Sequence, residues 1–219
     1  MSSELERHAL VWLTAAGWDA AIAAARPEHA SALTQWRQHD WPAVVRRHDS
    51  DAAAMAYAVC LGVPLPPDAA GIKVRIPLRV ASSHIARTSP PLELRSTLTT
   101  AGAWRDELTS LCDAAPGLRV FGSLAMQTLT GLPYVSPTSD VDLLFHPTSR
   151  QQLAEIMALL ARHADSLPLD GEVVFPGGAA VSWKEWRMAI THPAKVMVKE
   201  LRSVRLADTE SLLAMLEAA

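Results

Sequence analysis

Two short runs, VFGSLAM at 120–126 and SDVDLLF at 139–145, constrain this chain most. In the first, an apolar strand pattern enters Gly122-Ser123 and then a helix that Gly131 stops. In the second, a strand opens with Asp140 and Asp142 and continues as an apolar run. Alternate strand residues share a face. Both carboxylates therefore point one way with Cα atoms about 6.5 to 7 Å apart, while Val141, Leu143 and Phe145 face a core. At about 4 Å and an effective dielectric near 20, two like charges repel by roughly 4 kcal/mol, so a cation belongs between them. Mg²⁺ suits the position best: it is a hard ion that takes one or two carboxylates and keeps other sites for water and phosphate oxygens.

The Gly-Ser turn offers the complementary half of such a site. Gly122 lets a ligand approach the backbone closely. The N–H groups at the start of the helix near Leu124 form an anion site, and the Ser123 hydroxyl is a further donor. Carboxylates that hold a metal, joined through one short helix to a phosphate cradle, describe a phosphoryl-transfer centre. Each half alone is weak, because Gly-Ser often precedes a helix and D-x-D is often a polar strand end. The order strand, Gly-Ser, helix, loop, strand, D-x-D carries the reading.

Elsewhere strands and helices alternate. RHALVWL (7–13), AVVRRH (43–48) and IKVRIPLRV (72–80) read as strands, and 14–38 as a helical stretch broken near Pro27. DAAAMAYAVCL (51–61) reads as a helix capped by Asp49 or Ser50 and stopped at Gly62. The polar stretch ASSHIARTSPP (81–91) places a boundary at Pro90-Pro91, between an N-terminal α/β domain over 1–90 that binds substrate or partner and a catalytic domain over 91–219. A helix is expected from Leu98 to Cys112, and a capping box of Thr148 with Gln151 ahead of a helix over 150–163. Strands around EVVF, AVSWKEW and KVMVKEL and a terminal helix, DTESLLAMLEA, complete an α+β chain with a mixed sheet and flanking helices.

With 219 residues, 49% apolar and 20% charged, the chain supports a packed core and is not disordered. Its net charge of −3 excludes the overall basic footprint of duplex-binding proteins. An anionic ligand must then be held by a local cluster. Lys73 and Arg75, on one face of the IKVRIPLRV strand, are the leading pair; Arg46, Arg47, Arg87, Lys195 and Lys199 each read singly as solvated charges. No run is long and apolar enough to span a membrane, and the start lacks a signal-type stretch, so a cytoplasmic location is expected. Cys60 and Cys112 read as buried free thiols, and Trp12, Trp36, Trp104, Trp183 and Trp186 as core. His84 stands out among the histidines, with a surface or capping role favoured.

FGSLAM…TSDVDLLF resembles the GS…DxD signature of the DNA polymerase β-like nucleotidyltransferase superfamily. That resemblance implies two aspartates on Mg²⁺, pyrophosphate as leaving group and a third carboxylate on a later strand. In LDGEVVF, Asp170 and Glu172 share a face; Asp170 is favoured because Gly171 beside it leaves space for a ligand, and the choice stays open. The whole chain is similar to the malonate decarboxylase holo-acyl-carrier-protein synthase (phosphoribosyl-dephospho-CoA transferase) family. The likeness is carried by RHALVWL, VVRRHDS, IKVRIPL, the GS…DVDLLF core and LDGEVVFPGGAAVSWKEW.

The family resemblance implies attack by a serine of the malonate decarboxylase acyl carrier protein on 2'-(5''-triphosphoribosyl)-3'-dephospho-CoA. Asp140, Asp142 and Asp170 would then hold the metal, and Gly122 and Ser123 the leaving phosphates. Neither a nucleic acid nor a membrane is implied as partner. Two rivals remain: another nucleotidyltransferase of the same fold using ATP or another nucleotide, and a catalytically silent relative acting as a binding module.

Overall fold

The computed structural model describes residues 5–49, 58–192 and 194–217. The chain divides into two compact units, Met1–Pro91 and Leu92–Ala219. Among the described residues they hold twelve strands and seven α-helices, an α+β fold.

In the first unit, β1 (Leu10–Leu13), β2 (Ala43–Val45), β3 (Ala58–Pro64), β4 (Arg75–Ala81) and β5 (Ile85–Ser89) form an antiparallel sheet of order β4-β3-β2-β1-β5. Along β4, Ile76, Leu78 and Val80 are buried while Arg75, Pro77, Arg79 and Ala81 are exposed, the period-2 signature of a sheet with one covered face. Helix α1 (Ala15–Ala24) packs on β4 and on α2 (Ala30–Gln38), burying Trp18, Leu33 and Trp36. Thr14 caps α1, its Oγ1 accepting from Gly17 N at 3.0 Å. Gly17 is required in that helix because a Cβ there would lie 2.8 Å from the His84 carbonyl oxygen. The same carbonyl accepts from Thr14 N at 2.9 Å, so the backbone of His84 ties the 82–84 turn to the start of α1.

Three expectations change here. The helix expected over 51–61 is a strand from Ala58 onward; residues 50–57 lie outside the described residues. β3 sits between β2 and β4 and buries Cys60, Leu61 and Val63, and cross-strand packing decides the conformation of 58–61. ASSHIART contains β5, which pairs with β1 at the edge of the sheet; a polar sequence is what an edge strand with one solvated side tolerates. Finally, β4 starts at Arg75, so Lys73 lies ahead of the strand and shares no strand face with it; Arg75 shares its outward face with Arg79 instead.

Asp49 receives bonds from two guanidiniums: Arg46 Nη2 at 2.8 Å, and Arg79 Nη2 at 2.8 Å and Nε at 3.0 Å. Those two arginines hold its carboxyl well below the usual carboxylate range. A depressed folded-state pKa means the stability it contributes is complete above the unfolded value of about 3.9 and lost as pH falls below it. Asp49→Asn is therefore expected to flatten the acid limb of a stability-against-pH curve below about pH 4, measured by denaturant titration. An unchanged acid limb would show that the pair of arginines contributes nothing to linkage.

The second unit is built on a seven-stranded mixed sheet of β6 (Leu92–Glu93), β7 (Arg119–Phe121), β8 (Val141–Phe145), β9 (Leu169–Phe175), β10 (Ala179–Ser182), β11 (Val196–Lys199) and β12 (Val204–Ala207), in the order β12-β11-β10-β9-β8-β7-β6. Among the described residues only β8 and β9 run parallel. A parallel neighbour needs a crossover, and α5 (Arg150–His163) provides it. α3 (Arg105–Ala114), α4 (Gly122–Thr130), α6 (Trp183–Thr191) and α7 (Thr209–Met215) complete the helices. All five contribute to one buried cluster with Val120, Val141, Leu143, Phe145, Val173, Phe175, Val181, Val196 and Val198. These strand residues share one face of the sheet. The opposite face carries Asp142, Asp170, Glu172 and Lys199.

Local details shift within this unit. WKEW is the first turn of α6 rather than strand; Trp183 and Trp186 stand three apart and are both buried, a helical period. The capping box lies one residue later than expected, with Ser149 Oγ accepting from Gln152 N at 3.1 Å and Gln152 Oε1 accepting from Thr148 N at 2.7 Å. The helix expected from Leu98 begins at Arg105, after 3-10 turns at 94–97 and 102–104.

Candidate active site

The Gly-Ser turn and the aspartate strand meet at a single contact. Phe121 of β7 pairs with Asp142 of β8, so the turn into α4 lies beside the Asp142 carboxylate. Gly122 has φ +69°, in the left-handed region, and a Cβ added to it would stand 1.9 Å from Asp142 Oδ2. The carboxylate occupies the space a side chain would fill. Phe121, the residue before the helix, supplies no side-chain cap, and the helix presents its positive end to this corner of the sheet.

Asp142 is half-buried and faces Asp170 directly across the parallel pair β8–β9. Adjacent strands lie about 4.8 Å apart, so the two carboxylates share one stretch of surface. Asp170 Oδ1 accepts from Gly171 N at 2.8 Å and stands 3.8 Å from Lys184 Nζ. Asp140 is exposed, one residue ahead of β8. It follows a turn fastened by Ser139 N to Ser136 O and Ser136 N to Ser139 Oγ, both at 3.0 Å.

Glu172 faces Leu144 rather than an aspartate, is 6% exposed, and bonds Lys199 Nζ at 3.1 Å. Of the two candidates for a third carboxylate, Asp170 is thus the neighbour of Asp142, and Glu172, itself buried, is engaged by the half-exposed Lys199. Lys73 and Arg75 belong to the other unit, where both are exposed.

Gly171 serves a different purpose from the one its position suggested. It points to the core side, away from Asp170, and a Cβ on it would lie 2.0 Å from the Leu143 carbonyl oxygen. With φ +128° and backbone on the other side of the contact, nothing can move aside. Gly171→Ala is expected to cost at least about 3 kcal/mol, through strain and a broken β8–β9 ladder, and to leave little folded protein. Circular dichroism melting checks it; a variant within a few degrees of wild type would mean that the two strands can separate at no cost.

Lys184 was not singled out in the sequence, yet a signal for it exists. FPGGA reads as a hairpin turn, and an antiparallel ladder centred on Gly177 pairs Ser182 with Glu172. The ladder ends there, and Lys184 lies in the first turn of α6, which brings its ammonium to 3.8 Å from Asp170 Oδ1.

Asp140, Asp142 and Asp170 offer only carboxylate oxygens, but among the described residues no group of three or more His, Cys, Asp or Glu side chains is placed to hold a metal ion, so these three are not gathered as one ligand set. Asp142 and Asp170, which face each other, are the pair whose chemistry suits a hard ion such as Mg²⁺, one that takes one or two carboxylates and draws its other ligands from water and phosphate oxygens.

A parallel strand pair with facing aspartates, beside a glycine-started helix, defines an α+β protein with an anionic, oxygen-lined centre on the open face of its sheet. The chain belongs to the phosphoribosyl-dephospho-CoA transferase MdcG family: residues 91–210 match the model of the C-terminal domain and residues 6–91 that of the N-terminal domain. It is 42% identical over 187 residues to a phosphoribosyl-dephospho-CoA transferase of Xanthomonas campestris pv. campestris strain 8004, covering 82% of this chain and 84% of that one. To the protein of that name from Bradyrhizobium diazoefficiens it is 37% identical over 213 residues, 92% of this chain and 89% of the relative. The corresponding Xanthomonas euvesicatoria protein is 38% identical over 214 residues, 94% and 95% of the two chains. No solved structure matches the chain significantly. Among the described residues, no helix is long and apolar enough to cross a membrane.

Proposed function

We propose that this protein transfers the phosphoribosyl-dephospho-CoA group from 2'-(5''-triphosphoribosyl)-3'-dephospho-CoA to a serine of the malonate decarboxylase acyl carrier protein, by polymerase β-like nucleotidyltransferase chemistry. The observation that carries the chemistry is the packing of the Asp142 carboxylate against Gly122 and opposite Asp170. Family membership supports the donor.

In this reading the serine Oγ forms a bond to the α-phosphorus, the bond from that phosphorus to the bridging oxygen breaks, and pyrophosphate leaves with the electron pair. The serine proton passes to the Asp170 carboxylate, which Lys184 and Gly171 N orient. The Ser123 hydroxyl and the first N–H groups of α4 hold the departing phosphates. Mg²⁺ on Asp142 and Asp170 would supply charge neutralisation for the triphosphate. Asp142 and Asp170 keep like charge on one patch of sheet, so donor binding is weak unless a cation accompanies it.

Purified carrier protein, incubated with the enzyme, the triphosphoribosyl donor and Mg²⁺, is expected to gain the mass of the prosthetic group with one pyrophosphate released per carrier. Chelation with EDTA is expected to stop it. Mass gain with ATP in place of that donor would instead assign a general nucleotidyltransferase. Binding of either triphosphate without turnover would point to a silent binding module.

A further inference from the structure

The carboxylate face of the second sheet does not end at Glu172. Register carries it on through Ser182, which pairs with Glu172, to Ala180, which pairs with Lys199, and so onto β11 and the edge strand β12. There the same face bears Met197 and Val204, each 43% exposed, and Leu206, 64% exposed. Met197 pairs with Leu206 and Lys199 with Val204, so the three apolar side chains and one lysine form a contiguous block. Most single exposed apolar residues need no explanation, but a cluster on a functional face does.

The chain segment that carries this block is basic in an acidic chain. Residues 183–207 hold six cations (Lys184, Arg187, Lys195, Lys199, Arg202 and Arg205) against two carboxylates, Glu185 and Glu200, in a chain of net charge −3. Lys184, Lys199 and Arg205 are ion-paired with Asp170, Glu172 and Glu200, which leaves Arg187, Lys195 and Arg202 as its cations outside those pairs. Glu185 Oε1 is engaged by Met197 N at 2.7 Å and Glu200 by Arg205 Nε at 2.9 Å, so neither carboxylate stands out alone at the rim. The stretch immediately beyond the carboxylates is therefore the basic, apolar-bearing part of an acidic protein.

We propose that the β11–β12 face is the docking surface for the protein acceptor: a small acidic carrier domain that sets an apolar side chain on Met197, Val204 and Leu206. The proposal rests on the transferase reading above. Strand spacing gives the reach: β9 to β11 is two steps and β8 to β12 four, about 10 to 19 Å at about 4.8 Å each. A carrier seated there has to present its serine within that distance of its own apolar contact, on an acidic surface. A complex of this kind, apolar at the centre with a charged rim, is suited to the fast, transient encounters that modify one carrier after another.

The test uses Leu206→Glu and Arg202→Glu in the full chain, both at exposed positions outside the carboxylate site. Each is expected to raise the KM for carrier protein at least tenfold, with kcat at saturating carrier and the KM for donor unchanged. Salt of about 0.5 M, which shortens the Debye length below about 5 Å, should erase most of the wild-type advantage over Arg202→Glu but little of that over Leu206→Glu. An unchanged carrier KM in both variants overturns the proposal. A raised donor KM overturns it in favour of a seat for the donor's pantetheine arm, and a change in sedimentation of the enzyme alone in favour of a self-association surface.

Melting curves show whether Leu206→Glu stays folded; if it does not, Leu206→Ser, which removes the apolar contact without adding charge, takes its place. Should the wild type transfer nothing, the function reading fails independently. Carrier binding by calorimetry, wild type against Leu206→Glu, then still decides the docking surface.

Discussion

Asp142→Asn is expected to abolish transfer, by at least about 1,000-fold or about 4 kcal/mol of barrier, while leaving the melting temperature unchanged or slightly raised. The substitution keeps the volume packed against Gly122 and removes one of two like charges that face each other across β8 and β9. Relief of that repulsion acts on the free protein, whereas loss of the charge acts on the triphosphate and its cation. Turnover and stability should therefore move in different directions. Paired measurement of pyrophosphate release and thermal unfolding checks this, and near-normal turnover with Mg²⁺ would remove Asp142 from the reaction.

Gly122→Ala should be nearly as damaging to activity, by at least about 100-fold, and unlike the first change should also destabilise. The left-handed φ of +69° costs an alanine about 1 to 2 kcal/mol. Beyond that, its Cβ would fall 1.9 Å from Asp142 Oδ2, so the carboxylate has to leave its place. The two effects are separable by a double-mutant cycle. With Asp142→Ala in the background the conflict shrinks to a 3.3 Å contact with the remaining Cβ, and the stability cost of Gly122→Ala should fall towards the backbone contribution, a coupling of about 0.5 to 3 kcal/mol. Additive costs would show that glycine and carboxylate do not touch, and wild-type activity in the single variant would mean that the close approach has no part in the chemistry.

These expectations draw on what was legible before the fold. Period-2 alternation placed Val141, Leu143 and Phe145 in a core and Asp142 on the other side, because strand alternation is a local property of the backbone. The Gly-Ser turn and its helix were legible for the same reason: Gly131 adopts φ +72° at the helix end, a conformation the residue type itself announces. Local chemistry misled where neighbours decide. Ala58–Leu61 became a middle strand because β2 and β4 flank it, and ASSHIART acquired a strand because β1 had an open edge.

The sequence by itself determined the inventory: the strand–Gly-Ser–helix and D-x-D order, the carboxylates at 140, 142 and 170, the boundary region at the paired prolines and the family likeness. Those features depend on residue type and spacing along one segment. The tertiary structure decided which residues meet. Parallel register put Asp170, and not Glu172, across from Asp142. The first turn of α6 brought Lys184 to Asp170, and antiparallel ladders brought Lys199 to Glu172 and carried the carboxylate face out to Met197 and Leu206. Gly171 shows the division most directly. Its type marked a close approach, but only the pairing of two strands far apart in sequence fixed what it approaches: the Leu143 backbone rather than a ligand.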